Sequence, residues 1–344
     1  MDGRPSVTVI VPTRNRSSYL GDCLASLARQ RPREPFEVLV VDNGSTDDTP
    51  AVIDRWCRQD RRFRVAREPR VGLSRAKNAG ISQAEGRILL FTDDDSIVED
   101  GWIESYLGLL AEREGTLVMA GGPVVPIPHD LGAWPRWFDR PALPDLGLLD
   151  YQGERQLRRF EYVWGGNMAV PASLFAQVGP WDEAIGRRAD ERGTFEDAEF
   201  QDRVRAAGGD VLFCPGAVVR HRLARSAITP RRVLSTAFAR GRNERAQRSL
   251  LGAGGPGGAE TGGGGTWRRL GTGLGGWVWW AAVFRSRGTR EALERARLAA
   301  WSSGWSLDDL RAGHEAASWS RLVARAVFAV RGLALRIASG RPTR

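Results

Sequence analysis

The stretch Ile88-Leu89-Leu90-Phe91-Thr92-Asp93-Asp94-Asp95-Ser96 runs from four apolar residues straight into three consecutive carboxylates. It is too short for a helix and reads as a buried strand that stops abruptly. Adjacent Asp side chains at a strand end repel one another and lose hydration unless a cation shares the site. Hard oxygen ligands with no Cys nearby favour Mg²⁺ or Mn²⁺ over zinc. A solvated acidic turn is the plain alternative, and the sequence on either side arbitrates.

Upstream, strand and helix patterns alternate. Val7-Thr8-Val9-Ile10-Val11-Pro12 is a buried strand ended by Pro, and Ser17 or Ser18 is placed to cap a helix carrying Leu20, Cys23, Leu24 and Leu27 at helical spacing. Phe36–Val41 predicts a second strand ending at Asp42-Asn43-Gly44-Ser45-Thr46-Asp47, and Phe63–Ala66 a third. Gly72 to Gly80 opens a further helix before the Asp93–Asp95 strand. Such alternation argues for a parallel sheet with helices on both faces, where ligands bind at the carboxyl ends of strands. Pro12, Asp42 and Asp93 all stand at such ends. There is no GxGxxG and no P-loop, which disfavours a dinucleotide fold or a P-loop NTPase. A carboxylate-plus-metal site for a diphosphate remains.

Downstream, Trp134, Pro135, Trp137, Pro141 and Pro144 suggest a loop-rich segment. An apolar strand resumes over Trp164-Gly165-Gly166-Asn167-Met168-Ala169-Val170, and its glycine pair permits close backbone approach. Glu196, Asp197 and Glu199 crowd the first turn of a helix, where the helix dipole alone would favour anions. Two extended pieces follow, the second ending at His221, a structural residue or a metal ligand.

Length and composition fit one large α/β domain with an appendage: 344 residues, 42% of them hydrophobic, exclude global disorder. Three cysteines, Cys23, Cys57 and Cys214, form neither a CxxC nor an even framework, which fits a reducing, cytoplasmic compartment. The first residues run directly into a strand and show no signal-peptide pattern. Charge divides the chain. Residues 1–230 carry a net −4 and residues 231–344 a net +13, so the basic character lies away from the carboxylates. Of 50 basic residues only Lys77 is a lysine.

In their order and spacing, several stretches together resemble family 2 glycosyltransferases. They are Val9-Ile10-Val11-Pro12-Thr13-Arg14-Asn15, Val41-Asp42-Asn43-Gly44-Ser45-Thr46-Asp47, Arg75-Ala76-Lys77-Asn78-Ala79-Gly80, Asp93-Asp94-Asp95, Gly165-Gly166-Asn167 and Glu196-Asp197, with His221 following. The resemblance runs from about Ser6 to about Leu223. It implies a GT-A fold, a Rossmann-like mixed α/β sheet flanked by helices, and an inverting, metal-dependent transfer from a nucleotide-diphospho-sugar to an acceptor hydroxyl. By the same resemblance Pro12, Thr13 and Arg14 border base and ribose, and Asp42, with Asn43 beside it, meets the nucleobase. Arg75 faces the diphosphate, and Asp93, with the extra acid Asp94, lies near the ribose. Asp95 and His221 hold Mg²⁺ or Mn²⁺, and Gly165, Gly166 and Asn167 line the donor-sugar and acceptor side. Asp197 is the general base, ahead of Glu196. Saccharide or lipid-linked acceptors, and a role in cell-surface polysaccharide or glycolipid synthesis, follow from the family.

The last third carries none of these motifs. Residues 1–230 are expected to form the catalytic domain, 231–251 a basic helix, 252–266 a Gly-rich linker and 267–344 a mostly helical, basic extension. Leu270–Phe284 is uncharged, but 15 residues broken by four Gly do not make a spanning helix. The pattern over Ser318–Ala338 suits a helix docked on the catalytic domain, a homo-oligomer contact or an anionic membrane surface on the cytoplasmic side. Two rival functions fit the sequence less well. A sugar-1-phosphate nucleotidylyltransferase should carry a Gly-rich loop after its first strand, where this chain has Pro12-Thr13-Arg14-Asn15. A nucleic-acid-binding role through the basic tail conflicts with the acidic excess of the motif-bearing part, so no nucleic-acid partner is expected.

Overall fold

The structure, a computed structural model, describes residues 4–113, 115–127, 146–151, 153–158, 161–185, 196–223 and 228–229. Nearly all of these belong to one compact unit made of residues 1–132 and 147–224. The expected Trp134 and Trp137 segment, basic helix, Gly-rich linker and helical extension lie outside the described residues.

In chain order the elements are β1 (Val7–Thr13), α1 (Ser17–Ala28), β2 (Phe36–Asp42), α2 (Thr49–Gln59), β3 (Phe63–Arg67), α3 (Leu73–Gln83), β4 (Ile88–Thr92), β5 (Ser96–Val98) and α4 (Trp102–Ala111). There follow β6 (Val118–Gly121), β7 (Val124–Pro126), β8 (Arg155–Gln156), β9 (Asn167–Pro171), α5 (Ala172–Val178), α6 (Glu196–Ala206), β10 (Asp210–Phe213) and β11 (Val219–His221). Eight strands make one sheet in the order β3-β2-β1-β4-β9-β6-β10-β8. The first four run parallel, as their alternation with helices predicts, but β9 enters antiparallel between β4 and β6. The result is a mixed sheet. Every residue of β1, β2 and β4 is buried, which is why these strands read as unbroken apolar runs. On α1, Leu20, Leu24 and Leu27 fall on one face and are fully buried against the sheet, each contributing about 1.5–3 kcal/mol.

Two local expectations need correction. Neither Ser17 nor Ser18 caps α1; Arg16 holds the cap position without a side-chain bond. Ser17 instead begins the helix, and the Asp47 carboxylate from the loop after β2 accepts its backbone N–H at 3.3 Å and its hydroxyl at 3.0 Å. A cap supplied from another loop leaves no local sequence signature. The strand expected from Trp164 starts only at Asn167, because Gly165 and Gly166 form a turn.

A second, three-stranded sheet, β5-β11-β7, stands beside the first. Its register pairs His221 with Ser96, so the end of β11 meets the chain just as it leaves the three carboxylates. Among the described residues no helix is long and apolar enough to cross a membrane.

Candidate active site

The sheet register assembles the site. Thr13 pairs with Asp42 and Ile10 with Phe91, so the ends of β1, β2 and β4 form one edge. There the Thr13 hydroxyl donates to Asp94 Oδ2 at 2.7 Å. Burial pushes the Asp94 carboxyl up to about 7, and the Thr13 bond works against that rise. Asp94, the extra acid expected near the ribose, therefore ties the acidic turn to the end of β1. Asp95 faces the other way, its Oδ1 3.4 Å from His221 Nε2. Burial would raise its carboxyl, but the hydrogen bond and charge of His221 prevail and hold it below the usual carboxylate range. The Arg16 guanidinium lies 3.9 Å from both Asp94 and Asp95, while Arg14, expected beside base and ribose, is exposed. Asp93 is raised by desolvation and by the neighbouring charge of Asp95.

Opposite this edge, the first turn of α6 presents Asp197. Its Oδ1 accepts from Lys77 Nζ at 2.5 Å and its Oδ2 from the Gly165 N–H at 2.8 Å. Lys77 is only 1% exposed, lies 3.9 Å from Glu196 Oε1 and sits 5.0 Å over the Trp181 ring. Burial works to lower its amine pKa, yet the charges of Asp197 and Glu196 win and raise it. The two acids differ in reach: the Asp197 side chain is 18% exposed and that of Glu196 5%. Asp197 is thus the one a substrate could touch. Gly165 and Gly166 explain themselves here, since a Cβ on the first would collide with the Asp197 carboxylate and Lys77, and one on the second with Asp93.

Other expected site residues are placed differently. Asp42 sits at the edge with Oδ1 accepting the Ser45 N–H at 2.9 Å. The Asn43 amide is turned onto backbone, donating to the Glu68 and Arg70 carbonyls and accepting from the Gly72 N–H, so it shapes the loop before α3 rather than facing a ligand. Arg75 is held by Glu183 at 3.2 Å. Pro12 is buried within β1. Asn167 is 0% exposed, and its side chain points into the core instead of lining a substrate surface. Lys77 is the residue that sequence reasoning passed over. Its one signal was compositional, a single lysine retained where every other basic residue is Arg.

Among the described residues no three His, Cys, Asp or Glu side chains converge on a metal-sized point. Asp95 and His221 still offer a hard oxygen and an imidazole nitrogen side by side, a donor pair that fits Mn²⁺ or Mg²⁺ if phosphate oxygens and water complete the shell.

Residues 8–167 match the model of glycosyl transferase family 2. That stretch of the chain belongs to the family. The match covers β1 through the start of β9, and Asp197 and His221 lie beyond it. Among curated relatives, glycosyltransferase GlyG of Streptococcus pneumoniae is 34% identical over 33% of this chain and 38% of its own length. Validoxylamine A glucosyltransferase of Streptomyces hygroscopicus subsp. jinggangensis is 30% identical over 52% of this chain and 47% of its own. The chain thus spans less than half the length of these relatives. Two solved structures share the fold. The mannosyltransferase PcManGT from Pyrobaculum calidifontis, in complex with GDP-Man and Mn²⁺, superposes with a TM-score of 0.51 at 18% identity, over 99% of this chain and 89% of that one. Staphylococcus aureus TarS 1–349 gives 0.50 at 15% identity, over 98% and 93%. The mixed sheet of this family 2 domain is therefore GT-A-like.

Proposed function

We propose that the chain is an inverting, metal-dependent glycosyltransferase that passes a sugar from a nucleotide-diphospho-sugar to an acceptor hydroxyl. The observation that carries this reading is the pair of consecutive glycines at the head of β9: Gly165 packs on Asp197 and Gly166 on Asp93. They bring a restrained, solvent-reachable carboxylate to the same edge as the acidic turn.

A sugar hydroxyl is a weak nucleophile, so Asp197 takes its proton as the oxygen attacks the anomeric carbon. The bond from that carbon to the diphosphate oxygen breaks on the opposite face, and a single displacement inverts the centre. Lys77 and the Gly165 N–H hold Asp197 in one orientation for this transfer. Asp42, Pro12, Thr13 and Arg14 border the nucleoside, and Arg75 and Arg16 are the cations near the diphosphate. Asp95 and His221 would hold the divalent cation, which when bound supplies positive charge against the departing phosphate oxygens. The product enters cell-surface polysaccharide or glycolipid assembly, on a saccharide or lipid-linked acceptor, in this reading, and the family resemblance supports it.

Calorimetric titration of UDP, GDP and dTDP, with and without Mn²⁺, tests the donor site in wild type and Asp95→Ala. One nucleotide should bind in a metal-dependent way, and Asp95→Ala should abolish the metal's effect. Asp197→Asn should bind that nucleotide as wild type does while sugar transfer is lost. Absence of nucleotide binding in the presence of metal would overturn the donor site.

A further inference from the structure

The side chain of Asn167 has every hydrogen-bonding position filled. Its Oδ1 accepts from the Trp102 indole N–H at 2.8 Å and the Tyr106 hydroxyl at 2.7 Å. Its Nδ2 donates to the carbonyls of Pro123 and Ala217, both at 2.8 Å. Chemistry fixes this orientation, because an indole N–H can only donate and a carbonyl can only accept. The oxygen end is thus tied to α4 and the nitrogen end to two backbone carbonyls.

Those carbonyls belong to the small sheet. Pro123 immediately precedes β7, and Ala217 stands two residues before β11. Gly122 permits the approach, since a Cβ there would collide with the Ala217 carbonyl and lie 2.8 Å from Asn167 Nδ2. From Ala217 the chain runs up β11 to His221, and the next residue, Arg222, donates its N–H to the Asp95 carbonyl at 3.2 Å. On the main-sheet side Asn167 is itself the register partner of Thr92, one residue before the acidic turn. One residue therefore touches both sides of the Asp95–His221 pair: its side chain holds the chain entering β11, and its backbone pairs with the end of β4.

We infer that Asn167 is a positioning residue that pins the small sheet to the main sheet and thereby sets His221 against Asp95. Its purpose rests on the metal reading given under Proposed function; the geometric claim does not. Partners behind a metal's direct ligands commonly change affinity by about 10–100-fold when removed.

The chain has three histidines, so ring spectra of ¹⁵N-histidine-labelled protein are simple. In a His129→Gln, His314→Gln background only the His221 ring remains, observed at one fixed pH. Asn167→Asp removes both donors to the small sheet and keeps an acceptor for Trp102 and Tyr106. Tyr106→Phe deletes one bond on the other side and leaves both donors. The carboxylate-bonded His221 signal should be lost in Asn167→Asp and retained in Tyr106→Phe. If Asn167→Asp does not fold, Asn167→Ser gives the same comparison with a smaller insult. An unchanged His221 signal in a folded Asn167 variant would overturn the inference. Mn²⁺ added to the Asn167-containing protein should broaden the His221 signal, and its affinity should fall about tenfold or more in the Asn167 variant. A ring that ignores Mn²⁺ while still responding to Asn167 would sink the metal reading alone.

Discussion

Replacing Lys77 with Met removes the ammonium from a nearly dry pocket and keeps most of the stem's volume. Among the described residues, what is left is Asp197 facing the Gly165 N–H with Glu196 close by. Breaking a buried pair from one side costs about 3–5 kcal/mol. Asp197 keeps 18% exposure and one hydrogen bond, so the lower end, about 3 kcal/mol, is the expected loss. For a domain of this size that is a drop of about 6–12 °C in Tm, read by circular dichroism. A double-mutant cycle with Asp197→Asn should show coupling of at least about 1 kcal/mol. The pH dependence has a definite sign. Because the charges of Asp197 and Glu196 outweigh burial and raise the Lys77 amine, its contribution is complete below the ordinary lysine value of about 10.4. It is lost as pH rises through the higher folded value. The stability gap between wild type and Lys77→Met should stay flat from neutral pH to about 9 and narrow above 10.4. A loss below about 1 kcal/mol, or an additive cycle, would show that the contact does not hold Asp197 in place.

Gly166→Ala should lower sugar transfer roughly 100-fold by forcing Asp93 aside, whereas Gly108→Ala, exposed on α4 with open space around it, should stabilise the fold by about 0.5–1 kcal/mol. Equal activity in the two variants would remove the argument for close approach at Gly166. Cys23 and Cys214 are buried, and burial pushes the Cys214 thiol up to about 11 and that of Cys23 well above its ordinary value. Half-buried Cys57 should therefore be the one thiol that reacts promptly with an aromatic disulfide in the native state, with all three reacting in denaturant; two fast native thiols would contradict the packing.

The edge of the parallel half was legible because its cause is periodic. Runs such as Val7–Val11 and Phe36–Val41 are buried on both faces, and each is followed by the Pro or polar residue that closes its strand. The insertion of β9 was not legible, since nothing in Asn167–Pro171 encodes which strands it will separate. Lys77 and Asn167 were misread for a common reason. Type and position show that a side chain can hydrogen-bond but not to what, and each has partners about 40 to 120 residues distant. Asn43 belongs with them: its neighbourhood marks a ligand edge, while its amide is turned onto the next loop. Asp95, Asp197 and His221 are singled out as a set only by family resemblance, and spacing alone leaves the acids of α6 explained by the helix dipole.

The antiparallel entry of β9 also bears on the order in which the chain can organise itself on the ribosome. Within roughly the first hundred residues, strands β1 to β4 pair only among themselves and can condense once these have emerged, since contacts of shorter sequence separation close earlier. Asp197 is 120 residues from Lys77, and His221 lies still further from Asp95. The edge with its three carboxylates therefore exists for a time with Lys77 unpaired and Asp95 without its imidazole. Stalled synthesis or cleavage between β7 and β9 would leave a parallel half with its Asp edge intact, yet without Asp197 and His221.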